Sequence, residues 1–232
     1  MKQSNSGQLR KYFTLGLILI AGLSCVSCAP ASHNVQPGSL IWHGDFSSKN
    51  VYLTFDDGPS NEATVEILDI LKANDAKATF FMLGRRAEKN PGLVKRIFRE
   101  GHSIGNHTWA HAGGLNVNWG RILTELSSTD AAIKKACGES PKFFRPPFGF
   151  FNFRYFKVAE KLGYVSVLWT LDASDWSKTV TTRDIEKRII PAVRGGYIVL
   201  LHDGGPNRKP LIEALPKILT ELKKKGYVFK PL

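Results

Sequence analysis

Short runs rich in apolar residues alternate with longer stretches of mixed polarity from residue 38 onward. The short runs are typical of buried strands and lie at residues 51–55, 78–83, 103–105, 142–144, 164–170 and 197–201. The longer stretches repeat their apolar residues with a helical period, at residues 61–73, 92–100, 119–137, 153–162, 182–193 and 210–225. Alternation of this kind predicts parallel strands joined by crossover helices.

About six or seven such units predict an α/β domain that is either barrel-like or doubly wound. Both architectures carry their chemistry at the carboxyl ends of the parallel strands, so the residues that follow each strand are candidates for a site. The chain has 232 residues, of which 43% are hydrophobic. That size suits one core and one catalytic domain.

The start of the chain has the pattern of an export signal. Lys2, Arg10 and Lys11 precede an apolar run at residues 12–23, and small residues follow at residues 24–31. The apolar run is short for a membrane-spanning helix, which favours a signal peptide over an uncleaved anchor. We therefore expect export to the cell envelope or periplasm, or secretion.

Two cysteines near the end of this segment are candidates for lipid attachment. Cys25 and Cys28 lie where a bacterial lipoprotein signal carries its lipidated cysteine, although the residues before each of them match that signal poorly. The alternative is ordinary cleavage near Ala29 or Ala31, which would release a soluble protein. The lipoprotein, attached to a membrane through its lipid, is the slightly favoured expectation.

The chain divides into a signal at residues 1–28, a flexible tether at residues 29–46 and a catalytic domain at residues 47–232. The tether is assigned from its Pro, Ser, Gly and Asn content. Cleavage before Cys28 would leave Cys137 as the only other thiol, so we expect no internal disulfide.

The chain is basic, with 32 Lys and Arg against 20 Asp and Glu and a formal net charge of +12. Loss of residues 1–28 would remove three bases and no acids, leaving 29 bases against 20 acids and a net charge of +9. Such an excess favours anionic surroundings, for example phospholipid head groups or acidic wall polymers. Nucleic acid is not expected as a partner, because the bases are scattered along the chain.

Charged residues recur at the predicted carboxyl ends of five strands: Asp56 and Asp57, His107 and His111, Arg145, Asp172 and Asp175, and His202 and Asp203. The sequence HTWAH at residues 107–111 places two imidazoles four residues apart. On a helical turn both would face one side and could grip one metal ion; surface or capping histidines are the alternative. An aspartate from a neighbouring strand end would complete a site for Zn²⁺ or a similar ion.

The sequence TFDDGP at residues 54–59 sets two aspartates side by side. A plain turn is the alternative, since Asp, Gly and Pro all form turns, but the apolar lead-in at residues 51–55 carries the acids to the end of a buried strand. One of Asp56 and Asp57 could then bind the metal, while the other acts as base toward a water that the metal activates.

Two further segments add an arginine and a histidine–aspartate pair. In RPPFG, Arg145 could pair with a catalytic carboxylate and lower its pKa, and the proline-stiffened loop could hold the Phe148 backbone N–H toward an oxyanion. An ordinary proline loop is the alternative. His202 is suited to protonating a leaving amine, and Asp175 could orient it and raise its pKa.

The aromatic and aliphatic neighbours of that pair are candidates for a pocket. Trp176 and Leu200 are expected to be buried, and they could wall a small apolar pocket near the metal. Simple core packing is the alternative for both side chains.

Five segments in order resemble the motifs of the polysaccharide deacetylases, the NodB-homology enzymes or family-four carbohydrate esterases: TFDDGP at 54–59, HTWAH at 107–111, RPPFG at 145–149, DASDW at 172–176 and LLHDG at 200–204. The similarity covers residues 49–230. One such motif recurs by chance, whereas five in order are specific. Two departures are a Phe at position 148, where the family often has Tyr, and the segment AGGLNVNW at residues 112–119, where relatives often have a Pro or polar loop at the rim of the groove.

The resemblance implies a role for each matching position: Asp56 as general base held by Arg145; Asp57, His107 and His111 as metal ligands; the Phe148 N–H as oxyanion donor; His202 as general acid with Asp175 as its partner; and Trp176 and Leu200 as the acetyl-methyl pocket. It also implies a single-domain distorted (β/α) barrel of about seven parallel strands. The implied cofactor is one divalent ion, zinc first, with cobalt, manganese or nickel as alternatives.

The implied reaction is hydrolysis of N-acetyl groups on an N-acetylglucosamine polysaccharide, which releases acetate. Peptidoglycan is favoured because of the export signal and basic charge; chitin oligomers, poly-N-acetylglucosamine and O-acetylated xylan are alternatives. A two-histidine, one-carboxylate set could instead hold Fe(II) in an oxygenase, but that class has no use for the second aspartate or the His–Asp pair. An inactive glycan-binding protein is a further alternative. We expect a monomer.

Overall fold

The computed structural model describes residues 36–113, 117–149 and 152–232. The predicted signal at residues 1–28, with Cys25 and Cys28, lies outside these ranges and stays a prediction. Cys137 is a free thiol. No helix in the described ranges is long and apolar enough to cross a membrane.

Parallel strands form one sheet, which has nine strands within the described ranges: β1 Leu40–Ile41, β2 Asn50–Asp56, β3 Ala78–Met82, β4 Ser103–Asn106, β5 Phe143–Phe144, β6 Val165–Val167, β7 Leu171–Asp172, β8 Ile198–His202 and β9 Val228–Phe229. Their order is β1-β6-β5-β4-β3-β2-β8-β7, and β9 pairs with the start of β2. The predicted parallel α/β architecture is confirmed.

The sheet curls into a distorted barrel. Strands β6 and β7 lie near opposite ends of the strand order, yet only residues 168–170 separate them along the chain. Leu168 donates its N–H to the carbonyl of Ile41, and Thr170 donates its N–H to the carbonyl of Ile198. Three residues cannot cross a flat sheet, so its two ends must come together. The strand predicted at residues 164–170 is therefore shorter, Val165–Val167, and a second strand, β7, follows it after a bend.

The six predicted helices are confirmed, α4 with both ends as predicted and the others with one or both ends shifted, and α2 was missed. In the described ranges the helices are α1 Ala63–Ala73, α2 Gly84–Lys89, α3 Pro91–Arg99, α4 Trp119–Cys137, α5 Phe153–Lys161, α6 Thr182–Ile189 and α7 Lys209–Lys224. A 3-10 turn spans Pro147–Gly149. Helix α2 has only six residues and buries only Gly84 and Ala87, which is too little to produce a recognisable apolar period.

Helix α4 shows how local sequence sets the limits of these elements. The Asn118 side chain accepts a hydrogen bond from the Arg121 N–H at its start, and Gly138 takes the left-handed conformation after its last turn. Its buried residues include Ile122, Leu126 and Ile133, which recur at helical spacing and pack toward the sheet side of the domain.

Alternate residues of β3 serve two different clusters. Phe80 and Met82 belong to the large core formed with the surrounding helices, whereas Phe81 joins a smaller cluster with Val165, Val167 and Ile198. The Arg145 guanidinium lies over the Phe81 ring at 4.1 Å. The smaller cluster therefore forms the apolar floor beneath the residues that follow the strands.

The sheet begins earlier than the predicted domain boundary at residue 47. Strand β1 pairs with β6, and His43 forms an antiparallel bridge with Tyr197. Gly38 donates its N–H to the carbonyl of Tyr164. Residues 38–46, which were expected to belong to the tether, are thus bound to the domain by backbone hydrogen bonds that the local Pro, Ser and Gly content did not reveal.

Candidate metal centre and active site

The carboxyl ends of five strands bring the charged residues together. Asp56 closes β2, His107 and Arg145 follow β4 and β5, Asp172 closes β7, and His202 closes β8. Since neighbouring strands are parallel, these ends meet at one edge of the barrel, as the alternating pattern predicted.

Three donor atoms converge at this edge. The Asp57 Oδ1 atom lies 3.4 Å from His111 Nε2 and 3.7 Å from His107 Nε2. All three donor atoms lie within 4.8 Å of one another. Ligands about 2.1 Å from one tetrahedral zinc ion would stand about 3.4 Å apart, so this spacing suits a divalent ion.

The chemistry of the donors also fits a metal. Asp57 Oδ1 is buried, and no described residue donates a hydrogen bond to it. The Nδ1 atom of His107 hydrogen-bonds the carbonyl of Arg145 at 2.8 Å, which makes Nδ1 the protonated nitrogen and leaves the Nε2 lone pair free. Burial and the neighbouring His107 lower the pKa of His111, which favours the neutral imidazole that a metal requires.

The two histidines lie on an irregular loop, so the helical turn predicted at residues 107–111 is wrong. Thr108 and His111 have φ angles of 69° and 61°. The Asn106 side chain accepts the Thr108 N–H, and the Glu125 carboxylate accepts the N–H groups of both Trp109 and Ala110. The imidazoles still meet, with centroids 5.1 Å apart, because these long-range hydrogen bonds fold the loop.

The adjacent aspartates point to different partners because the backbone turns between them. Asp57 has a φ of 72°, outside the strand conformation of Asp56. A Cβ on Gly58 would lie 2.0 Å from the Asp203 Oδ2 atom, so only glycine fits after the pair. Burial alone would raise the pKa of Asp57, but the charges of His107 and the other nearby bases hold that pKa below its ordinary value.

Asp56 is held by Arg145 in a buried ion pair. The Nη1 atom of Arg145 lies 2.7 Å from Asp56 Oδ1 and 2.7 Å from the Thr54 hydroxyl, and Nη2 donates to the Leu168 carbonyl. Asp56 Oδ2 faces the other way, 3.8 Å from His107 Nε2. The carboxylate therefore has one oxygen fixed and one directed at the metal centre.

The loop after β5 brings Phe148 over the metal centre. Phe148 has a φ of 62° within the 3-10 turn, and its ring meets the His111 ring edge-on at 4.4 Å. The side chain is 68% exposed. This ring thus forms part of the rim of the site, in contact with the candidate ligand His111.

His202 and Asp175 form the second charged pair of the site. His202 Nδ1 lies 2.8 Å from Asp175 Oδ1, and the His202 backbone N–H donates to Oδ2. Arg208 also donates to Oδ2, at 3.0 Å. Burial alone would lower the pKa of His202, but the hydrogen bond and charge of Asp175 outweigh it and raise that pKa. The predicted pairing of His202 with Asp175 is present.

The two predicted pocket residues differ in exposure. Leu200 is buried, as expected, but Trp176 is 57% exposed, so the expectation of burial was wrong for the tryptophan. Asp172 accepts the Ser174 N–H in a tight turn in which Ser174 has a φ of 50°; Asp175 is then buried while the next side chain points outward. The Trp176 Nε1 atom donates to Asp172 Oδ2 at 3.3 Å.

Sequence reasoning missed two residues that support the site, Thr54 and Arg208, and assigned no role to a third, Asp203. Thr54 bridges Arg145 and the Val199 carbonyl, Arg208 contacts Asp175, and Asp203 accepts a hydrogen bond from Thr64 beneath Gly58. Burial raises the pKa of Asp203 to about 7. The position of Thr54 two residues before Asp56, on the same face of β2, is the one signal that could have indicated its role.

Comparison with known proteins agrees with the motifs. The family model described as polysaccharide deacetylase matches residues 43–167. A peptidoglycan-N-acetylglucosamine deacetylase of Bacillus cereus is 41% identical over 194 residues, which cover 83% of this chain and 90% of that protein.

Solved structures share the fold. The crystal structure of the Bc1960 peptidoglycan N-acetylglucosamine deacetylase has a TM-score of 0.80 at 38% identity, with 84% of this chain and 91% of that chain covered. A family 4 acetyl xylan esterase from Clostridium thermocellum, in complex with a cobalt ion, has a TM-score of 0.74 at 37% identity, with 78% and 87% covered. The chain belongs to the polysaccharide deacetylases, a family of metal-dependent hydrolases.

Proposed function

We propose that this protein removes the acetyl groups of N-acetylglucosamine units in a cell-envelope glycan, peptidoglycan foremost. The observation that carries the proposal is the convergence of the Asp57, His107 and His111 donor atoms beside the buried Asp56–Arg145 pair. The products are acetate and a glucosamine unit that stays in the polymer.

The metal centre would be formed by one carboxylate oxygen of Asp57 and the Nε2 atoms of His107 and His111. A divalent ion held there, zinc first and cobalt, manganese or nickel as alternatives, supplies Lewis acidity toward the acetyl carbonyl and the attacking water. Two imidazoles and one carboxylate make a donor set that zinc commonly takes in hydrolases.

Asp56 is the proposed general base. Its Oδ1 is occupied by Arg145, so its Oδ2 is the atom that takes a proton from the attacking water. The Phe148 backbone N–H would donate to the oxyanion that forms when the carbonyl is attacked. Arg145 keeps the base in place and balances its charge, since both side chains are buried.

His202 is the proposed general acid. It is the partner of Asp56 across the β2–β8 pair, so acid and base stand on neighbouring strands. Asp175 holds Nδ1–H, which leaves Nε2 to deliver a proton to the departing nitrogen as the C–N bond breaks. Water thus adds its oxygen to the acetyl carbon, and the nitrogen leaves as an amine.

The surroundings of the site suit a sugar with an acetyl group. Leu200 is the apolar side chain proposed to contact the acetyl methyl, and the exposed rings of Trp176 and Phe148 are proposed to line the glycan at the rim. Aromatic rings offer flat apolar faces of the kind that sugar rings stack against.

Peptidoglycan is preferred because relatives that match along most of the chain are named as peptidoglycan deacetylases. The net charge of +12 favours attraction to an anionic wall or membrane surface. We further propose export through residues 1–28, with lipid attachment at Cys25 or Cys28, and a monomeric domain in the envelope.

The test is acetate release from a panel of glycans after chelation and reconstitution with Zn²⁺, Co²⁺ or Mn²⁺. The panel contains peptidoglycan, chitin oligomers, poly-N-acetylglucosamine and acetylated xylan. We expect metal-dependent release, greatest from peptidoglycan. Greater release from acetylated xylan than from peptidoglycan would show that the assigned substrate is wrong. Glycan binding without acetate release by metal-loaded protein would show that the proposed deacetylase activity is wrong.

A further inference from the structure

We propose that Arg208 is a positioning residue for the general acid: it holds the Asp175 carboxylate in one orientation, so that His202 exchanges its proton at Nε2. This inference rests on the role proposed above for His202. Arg208 lies outside the five motifs and is connected to the reacting atoms only through Asp175.

Arg208 is itself firmly held. Its side chain is only 7% exposed, and both Nε and Nη2 donate to the Pro206 carbonyl, at 3.0 and 2.8 Å. The residue caps the start of α7, where its own carbonyl accepts the N–H groups of Leu211 and Ile212. With two of its nitrogens anchored, the remaining Nη1 has one position, 3.0 Å from Asp175 Oδ2.

Asp175 needs this second cation. Its side chain has no solvent exposure, and both oxygens are occupied: Oδ1 by the imidazole of His202, and Oδ2 by the His202 backbone N–H and Arg208. A general acid becomes neutral each time it gives up its proton. Without Arg208, each neutral period of His202 would leave a buried carboxylate with no cation to balance it, which is costly.

A permanent cation removes that cost. Arginine stays protonated throughout turnover, whereas His202 does not. Asp175 can therefore remain an acceptor for Nδ1–H in both states of the imidazole. The consequence is a fixed tautomer. When His202 is neutral its proton is on Nδ1, and Nε2 is free to accept the next proton.

The experiment compares Arg208→Gln, Arg208→Lys and a matched control, Arg188→Gln, in the metal-loaded full chain with peptidoglycan as substrate. Arg188 is another arginine near this loop, but it is exposed and bonds the Ala173 carbonyl instead of Asp175. For Arg208→Gln we expect kcat to fall between about 10- and 100-fold, part of what a general acid contributes, with KM and metal content unchanged. Arg208→Lys should recover part of the lost kcat, because lysine keeps the positive charge but lacks the planar guanidinium with its several N–H donors. Arg188→Gln should match the parent.

A double-mutant cycle separates positioning from simple stabilisation. If Arg208 acts through Asp175, Arg208→Gln has no further effect on the residual kcat of Asp175→Asn. Multiplicative effects of the two substitutions, or an unchanged kcat for Arg208→Gln, would overturn the proposal. A loss confined to the melting temperature, with kcat intact, would overturn it as well.

A second measurement is independent of turnover. With ¹⁵N-labelled histidine, the ring nitrogen shifts of His202 report its tautomer at a pH where it is neutral. We expect protonated Nδ1 in the parent and in Arg188→Gln, and a mixture of tautomers in Arg208→Gln. An unchanged tautomer in Arg208→Gln overturns the inference, whereas a parent protein that releases no acetate overturns only the proposed function.

Discussion

Arg145 and Asp56 form an ion pair that is closed to solvent, with Nη1 2.7 Å from Oδ1 and side-chain exposures of 0% and 4%. The arginine also binds Thr54 and the carbonyls of Val167 and Leu168. One side chain thus ties β2 to the chain between β6 and β7, at the point where the barrel closes. Arg145 therefore connects Asp56, the proposed base, to the segment at which the barrel closes.

The first prediction follows from that pair. Arg145→Met leaves a buried carboxylate without its cation, which costs about 3–5 kcal/mol of the free energy of unfolding. We expect the melting temperature to fall by roughly 10 °C, measured by circular dichroism. Arg194→Met is the control, since exposed Arg194 bonds only carbonyls of its own loop. Equal melting temperatures for the two variants would show that the pair contributes nothing to stability.

The second prediction distinguishes the proposed base, Asp56, from a proposed metal ligand, His107. Asp56→Asn removes the base but no donor atom of the metal centre, so we expect normal metal content and at least about 100-fold lower acetate release. His107→Ala removes a donor, so both metal content and activity should be lost. Metal analysis and acetate release measure the two effects. A fully active Asp56→Asn enzyme would contradict the assignment of the base.

The third prediction concerns the alkaline side of the pH profile. Asp175 raises the pKa of His202, and a general acid works only while it is protonated. In Asp175→Asn the pKa of His202 should fall, so activity should decline at lower pH than in the parent. The measurement is kcat/KM against pH. A variant whose alkaline limb stays in place would show that another group carries that titration.

The fourth prediction concerns acid stability. His102 is buried and accepts the Ala78 N–H at Nδ1, and burial lowers its pKa from 6.5 to about 4. A depressed pKa means that the folded protein binds fewer protons than the unfolded chain. The contribution of neutral His102 to the free energy of unfolding is therefore fully present above pH 6.5. It falls by about 3 kcal/mol as the pH drops toward 4.

His102→Asn tests this acid sensitivity. The asparagine carbonyl can still accept the Ala78 N–H, but it has no proton to gain in this range. Urea unfolding at several pH values should show a smaller loss between pH 6.5 and 4 than in the parent. If both proteins lose stability equally, His102 is not the group responsible.

Much of the site was predictable because the sequence shows which residues follow each strand. In parallel strands joined by helices, the residues after each strand meet at one edge, so His107, His111 and one aspartate of the Asp56–Asp57 pair could be grouped before any coordinates. The choice of Asp57 as the ligand and the pairing of Arg145 with Asp56 were implied by the resemblance to the polysaccharide deacetylases. Apolar periodicity predicted the parallel strands and the six main helices. It left a barrel and a doubly wound sheet both open, and the barrel was implied by the resemblance to the polysaccharide deacetylases.

The failures share one cause, which is that local patterns do not record long-range contacts. The loop at residues 107–111 looks helical by spacing, yet hydrogen bonds from Glu125 hold it open. Trp176 looks like a core residue, yet a turn at Ser174 turns it outward. The segment before residue 47 looks like a tether, yet Leu40–Ile41 pairs with β6.

The sequence by itself determined which groups are present and which strand end each one follows, because hydrophobic period and chain order are written along the chain. Only the tertiary structure decided how each group is oriented: that Asp56 turns one oxygen to Arg145, that Asp57 turns toward the histidines, and that Arg208 reaches Asp175. Orientation depends on hydrogen bonds between residues far apart in the chain, and burial in a low-dielectric interior makes those bonds strong enough to hold it.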